Sequence, residues 1–388
     1  MSKVEELKVY SIATDPIYIG TGGYTIGRVD NTIVRDPITK LPKIPGSSLA
    51  GTWRYYMALE LLTKVRGKQP EFNEIKNCKG KTLEEKINNW TKKSNSNDCK
   101  GEDCLKFSGN VVAKITCAGQ DNTSQEELLN SPDAKNKEGK TGHCGHCIVC
   151  KGFGFSKKDI SWQGMLFFSD LQIVFFPVFT MSGTKWITTE RILKEVGFSL
   201  DVKEDNKDNN DGQVKVVVEN IYDDKKSGYI NLGWLYLPYI AESCSINLNK
   251  VYVNNIISNK DIVIVPENLY SQIVNSNLEV RTSVSIDPIT GAAKEGALFT
   301  SEAIPRGTIF YSTIRIFDKS VFNGIDGGLN CLPTKEQLKE ALEDSKHYYE
   351  TLGIGGMTTR GFGRLKILTN LKSNSEAQSG GVQNGKQS

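Results

Sequence analysis

Histidine is scarce in this chain: among 388 residues only His143, His146 and His347 occur, and the first two stand inside a cysteine cluster. A ribonuclease that works with a pair of histidines is therefore not expected. Long apolar runs are missing too. Stretches such as Ile173–Phe179 fall far short of the roughly 20 residues a membrane helix needs, and the opening MSKVEELKVY has no signal-peptide core. The expectation is a cytoplasmic protein with no membrane partner. Strong net charge is absent as well: 48 Lys and Arg face 45 Asp and Glu, a balance of +3, so any nucleic-acid surface must come from local clustering. The nine cysteines include scattered Cys78, Cys99, Cys104, Cys244 and Cys331, which show no regular disulfide framework.

What is present points to one large core with insertions. An apolar strand over Leu7–Ile19, interrupted at Pro16, runs into the glycine-rich IGTGGYTIGRVDN, whose backbone can approach a ligand closely. In PGSSLAGTWRYYMALELL a helix starts, with Ser47 or Ser48 as cap and Leu49, Trp53, Met57 and Leu61 on one face. Arg54 falls near the opposite side. Residues 66–142 and 203–213 turn polar and read as insertions. Strands are expected over Met165–Phe179, over Leu278–Ile286, where alternation implies a half-buried face, and over Thr308–Phe317. A second helix should begin at Thr334 with Gln337 completing a capping box, burying Leu338, Ala341, Leu342, Tyr349 and Leu352 before Gly353. A strand near Leu365–Leu368 comes next. This order suits a split β-α-β, ferredoxin-like α+β core. The expected organisation is a discontinuous core over 1–65 and 151–370, an insertion with a cysteine-rich element over 66–150, and a disordered tail over 371–388.

Two motifs carry chemistry. GIGGMTTRGFGR combines Gly355, Gly356, Gly361 and Gly363 with Arg360 and Arg364, a mixture suited to gripping phosphates along a nucleic-acid strand, although its spacing is not that of a nucleotide P-loop. An ordinary turn between helix and strand is the plain alternative. In HCGHCIVC, Cys144, Cys147 and Cys150 stand two residues apart, so one tight turn can aim three thiolates at one ion. Zinc in a closed structural site is the expected metal, with Cys117 as fourth ligand and His143 as its rival. An iron–sulfur cluster, and with it a redox protein, is the alternative from another class.

Four segments, IGRVDNTIVRDPITKLPKIPGSSLAGTWR, FFSDLQIVFFPVFTMSGTKWIT, IDPITGAAKEGALFTSEAIPRGTIFY and GGMTTRGFGR, together resemble the RAMP superfamily, namely the repeated backbone subunit of type III CRISPR effectors. The likeness spans roughly residues 7–370. Pro177, Ser182, Gly183 and Trp186 are most similar to the Cmr-type subunit, whereas VDNTIVRDP and the CxxCxxC before Gly-Phe-Gly also resemble Csm-type and type III-D relatives.

This resemblance implies an RRM-like core with a thumb hairpin. It also implies crRNA and complementary target RNA as ligands, and further copies of the chain and other effector subunits as partners. It makes Asp30, in the first Gly-rich loop, the residue needed to cut target RNA as an endoribonuclease, with Mg²⁺ or Mn²⁺ as a hard-oxygen partner. Asp36 is the nearby competitor, but an Asp before Pro is the ordinary chemistry of a turn. Glu302 matches an acidic position near the cut site; the tyrosine two residues later in some relatives is Ile304 here, and the first-strand histidine of some is Tyr18. Ser47, Ser48 and Arg54 match the family's helix beside the guide RNA. The rival within this class is a purely structural RNA-binding subunit in which Asp30 only stabilises a loop.

Overall fold

A computed structural model describes residues 3–22, 29–67, 105–108, 112–115, 117–118, 147–157, 160–198, 200–202, 214–217, 227–242, 244–248, 253, 255–322 and 332–372. Expectations for residues 23–28, most of 68–146, 203–213 and the tail beyond 372 lie outside these.

Twelve strands build the main sheet and the hairpin beside it: β1 (Val4–Ala13), β2 (Leu166–Phe168), β3 (Gln172–Thr180), β4 (Gly183–Thr188), β5 (Val214–Val217), β6 (Ser227–Leu232), β7 (Leu235–Glu242), β8 (Ile262–Ile264), β9 (Glu279–Ile286), β10 (Ala293–Ala303), β11 (Ile309–Phe317) and β12 (Leu365–Ile367). Ten of them form one sheet in the order β6-β7-β5-β8-β4-β3-β11-β1-β12, with β2 also pairing β11. One end of it is the antiparallel run β3-β11-β1-β12. Helix α1 (Gly46–Gly67) comes after β1, and α3 (Lys335–Ser345) lies between β11 and β12. The chain is thus α+β, with a large sheet and two principal helices.

The two helices meet through aromatic side chains. Leu49, Trp53 and Met57 of α1 are fully buried, as their helical spacing predicts. The Trp53 indole N–H donates to the Leu342 carbonyl and the Ser345 hydroxyl of α3. Tyr349 sits edge-on to both Trp53 and Tyr56, with ring centroids 5.3 and 5.0 Å apart. Thr334 and Gln337 form the reciprocal capping box at the start of α3. That helix stops at Ser345, and a short turn over Tyr348–Thr351 carries the chain to Gly353.

Four expectations need correction. Leu352, expected on the buried face of the second helix, lies past the end of α3 and is exposed. The predicted strand Met165–Phe179 is two strands, because Ser169 and Asp170 bend out to receive the start of α1: the Asp170 carboxylate accepts the Gly46 N–H at 2.7 Å. For the same reason Ser47 and Ser48 lie within the first turn rather than at its cap. The alternating strand Leu278–Ile286 does not line the core. As β9 it pairs only with β10 in a separate two-stranded hairpin, and Val280, Val284 and Ile286 are exposed. Alternation reports that a strand has two unlike faces, but which face is covered depends on a partner layer that this hairpin lacks among the described residues.

Candidate functional site

The hairpin β9–β10 is rooted where the glycine-rich segments converge. Asn31 lies beside Ser301 in a parallel bridge, with Asn31 N–H donating to the Thr300 carbonyl and Glu302 N–H to the Asn31 carbonyl, each at 3.0 Å. Ile17 and Ile304 exchange backbone hydrogen bonds one step along. This pairing brings Asp30 onto β10. The Thr300 N–H donates to Asp30 Oδ2 at 2.8 Å, the Thr300 hydroxyl donates to the same oxygen at 2.9 Å, and Asp30 N–H donates back to Thr300 Oγ1 at 3.1 Å. These bonds, the backbone one foremost, hold the Asp30 pKa below its ordinary value. The residue is exposed, and no described residue donates a hydrogen bond to Oδ1.

Asp36 is arranged differently. Its Oδ1 accepts the N–H groups of Ile38 and Thr39 at 2.9 Å, and Lys43 lies 3.5 Å from Oδ2. The carboxylate closes a turn, and those backbone donors lower its pKa.

Glu302 is only 8 % exposed. Its Oε1 pairs with the Arg35 guanidinium at 2.6 Å, and Oε2 accepts the Ile33 N–H at 3.4 Å. Arg35 also donates to Asn275 Oδ1 and the Ile33 carbonyl. Glu302 therefore stands beside the Asp30 segment as its buried anchor, with both oxygens engaged. Ile304 is buried beside Ile17 and offers no polar group.

The GIGGMTTRGFGR loop packs under the first glycine-rich segment. Gly356 N–H donates to the Tyr18 carbonyl at 3.0 Å and Gly363 N–H to the Pro16 carbonyl at 2.8 Å. A Cβ on Gly355 would run into the Tyr18 carbonyl, and one on Gly363 into the Ile354 carbonyl; both residues also have positive φ, +86° and +88°. These glycines are therefore required by sterics, and the N–H groups of Gly356 and Gly363 face the protein rather than a ligand. Arg281 of β9 ties the loop to the hairpin, donating to the Gly361 carbonyl at 3.1 Å and lying 4.8 Å from the Phe362 ring centroid. Arg364 pairs with Asp15 at 2.5 Å, whereas Arg360 is exposed. The pairings of Arg35 with Glu302, of Thr300 with Asp30 and of Arg281 with Gly361 carried no local sequence signal, since each joins residues 80 or more positions apart.

On the other side of α1 the structure gathers Cys117, Cys147 and Cys150, all with 0 % exposure and sulfurs within 4.8 Å of one another. Cys147 is the N-cap of α2 (Ile148–Phe153), its sulfur accepting the Cys150 N–H at 3.3 Å. Cys144 and His143 lie outside the described residues. Arg54 faces this cluster, its Nε donating to the Cys117 carbonyl at 2.7 Å.

Fold and site together define an α+β protein with a large sheet, a two-stranded hairpin and glycine-rich loops packed at the hairpin's root. The family model for the RAMP superfamily matches residues 12–366, and the chain belongs to that superfamily. It is 58 % identical over 36 residues to the CRISPR system Cms endoribonuclease Csm3 of Methanothermobacter thermautotrophicus, covering 9 % of this chain and 15 % of that protein. It is 29 % identical over 106 residues to the CRISPR system Cmr endoribonuclease Cmr4 of Pyrococcus furiosus, covering 27 % of this chain and 32 % of that one. The matched segments thus span less than a third of either relative. A chain in the cryo-electron microscopy structure of the type III-B Cmr-beta complex bound to cognate target RNA has the same fold, with a TM-score of 0.50 and 13 % identity over 95 % of this chain and 98 % of that one. No helix among the described residues is long and apolar enough to cross a membrane.

Proposed function

We propose that this chain is a crRNA-binding backbone subunit of a type III CRISPR effector complex, and that it cuts the paired target RNA with Asp30. Family membership and the names of the relatives support the class. The order of the strands β3-β11-β1-β12, in which the last strand in sequence flanks the first and β3 lies outside β11, supports a ferredoxin-like, RRM-like core. The hairpin β9–β10, with Val280, Val284, Ile286, Ile289 and Leu298 exposed, is the thumb in this reading.

The observation that carries the catalytic assignment is the contrast among three carboxylates. Asp36 is consumed by its turn and Glu302 by Arg35, whereas Asp30 presents an exposed oxygen at the hairpin root. A depressed pKa makes Asp30 a poor proton store at neutral pH, so its role is that of a fixed negative acceptor. It orients the 2′-hydroxyl beside the scissile phosphate. That oxygen gives up its proton to solvent and attacks phosphorus, the bond to the 5′ oxygen breaks, the leaving 5′ oxygen takes a proton from solvent, and a 2′,3′-cyclic phosphate and a 5′-hydroxyl result. The exposed carboxylate oxygen also suits a hard divalent cation, and Mg²⁺ or Mn²⁺ bound there would neutralise charge on the phosphate oxygens. Glu302 then acts by holding the Asp30 segment rather than by touching RNA. Each copy in a filament carries its own Asp30, so cuts fall at a constant interval.

The cysteine cluster is a structural zinc site in this reading. Three buried sulfurs converging beside a tight N–H···S turn suit a soft-ligand tetrahedral ion, with Cys144 completing the set. Family membership disfavours a redox protein, and a colourless preparation carrying stoichiometric zinc would exclude one.

The test is a complex assembled with guide RNA, complementary target and Mg²⁺ or Mn²⁺. Asp30→Ala should keep assembly and target affinity while abolishing the ladder of cuts, because binding is spread over many contacts and chemistry over one. No cleavage by the wild-type complex would leave the purely structural subunit as the answer.

A further inference from the structure

Resting on the assignment of Asp30, we infer that Thr300 is the positioning residue for cleavage: its hydroxyl clamps one carboxylate oxygen of Asp30 so that the other is presented to RNA. The two residues are 270 positions apart and share three hydrogen bonds in a closed ring, Thr300 N–H and O–H to Oδ2 and Asp30 N–H to Thr300 Oγ1. Such a ring leaves the carboxylate little rotational freedom. With Oδ2 accepting two donors, only Oδ1 remains for a ligand. Thr300 itself sits on β10 between two pairings, Thr282 of β9 on one side and the Asn31 segment on the other, so its own geometry is fixed by strand register.

A hydroxyl at this position does what an apolar residue of the same shape cannot. It donates to the carboxylate and accepts from the Asp30 backbone at once. Among the described residues, Glu302 pairs with Arg35, Arg281 engages Glu279 and the Gly361 carbonyl, and Arg360 is exposed on the loop. The lowered pKa of Asp30 accordingly traces to Thr300 and not to a neighbouring charge.

Thr300→Val keeps size and branching and removes only the hydroxyl; Thr300→Ser restores it. In the assembled guide–target complex, Thr300→Val should slow cleavage by on the order of tenfold to a hundredfold with target affinity unchanged. The acid limb of its pH–rate profile should move to higher pH, because the carboxylate loses a donor that stabilises its charged form. Thr300→Ser should return both rate and limb toward wild type. An acid limb that stays in place in Thr300→Val, or a folded Thr300→Ser as slow as Thr300→Val, would overturn the inference. Should Thr300→Val fail to assemble, Thr300→Ala carries the same expectation for rate and limb. Cleavage by Asp30→Ala at the wild-type rate would instead remove the catalytic assignment itself, a separate outcome.

Discussion

Arg35 and Glu302 stand 2.6 Å apart at the root of the hairpin, joining the segment that carries Asp30 to the strand that carries Thr300. Glu302 is nearly inaccessible, so removing its partner strands a carboxylate in the interior. Arg35→Ala should lower stability by about 3 kcal/mol, the lower end for breaking a buried pair. Denaturant midpoints measure it, and a loss below about 1 kcal/mol would show the pair to be solvated. Glu302→Gln, which keeps shape and a hydrogen-bonding oxygen, should cost less and leave cleavage per folded molecule within a few-fold of wild type. A folded Glu302→Gln complex without cleavage would make Glu302 a participant in the chemistry.

Local signals were legible where one segment decides the outcome. Thr334 and Gln337 lie three residues apart and the capping box arises from that spacing alone; Leu49, Trp53 and Met57 mark the buried face of α1 by period. The site was legible only in part, because its contacts are long-range. Asp30 meets Thr300 across 270 residues and Arg35 meets Glu302 across 267, and no window of sequence contains both members. Val280 to Ile286 alternates like a buried strand yet is exposed, since alternation is silent on whether a covering layer exists. Arg54 turns toward Cys117, a neighbour that lies 63 residues away in a polar stretch.

Glycines in two settings should respond in opposite ways. Gly363→Ala places a Cβ against the Ile354 carbonyl at φ +88° and should cost about 1–3 kcal/mol while loosening RNA retention, because the loop must shift. Gly51→Ala, on an exposed stretch of α1 with nothing within 4 Å of the new methyl, should stabilise by about 0.5–1 kcal/mol. Thermal melts of the two variants separate steric need from helix propensity; equal shifts in the same direction would contradict the packing described for the loop.

Arg360 is the exposed cation of the glycine-rich loop, while Arg364 is held by Asp15. If the loop tracks the RNA backbone, Arg360→Ala should weaken guide binding and reduce the slope of log K against log salt by about one, with no change in sequence preference. Arg364→Ala should act mainly on stability, through loss of its ion pair. A salt slope unchanged in Arg360→Ala would place the RNA backbone elsewhere.

The cysteine cluster allows the sharpest separation of structure from chemistry. Cys117 reaches Cys147 and Cys150 from 30 residues upstream of the nearer one, and Arg54 of α1 holds its carbonyl, so an ion bound there would link α1, α2 and the intervening chain. Metal binding contributes to folding directly, because the unfolded chain has no preformed site. Cys117→Ser should therefore lose zinc and melt at least about 5 °C lower, a shift that corresponds to roughly 4 kcal/mol in a chain of 388 residues. Cleavage per assembled complex should stay near wild type, since Cys117, Cys147 and Cys150 cluster beside α1 and not at the hairpin root where Asp30 lies. Chelation of the wild-type protein should reproduce the melting shift, with Mg²⁺ or Mn²⁺ supplied afterwards restoring cleavage but not stability. Full zinc content in Cys117→Ser would remove Cys117 from the ligand set. Lost cleavage at unchanged stability would mean that the cluster serves the reaction, and the division between a structural ion beside α1 and a catalytic carboxylate on the hairpin would fail.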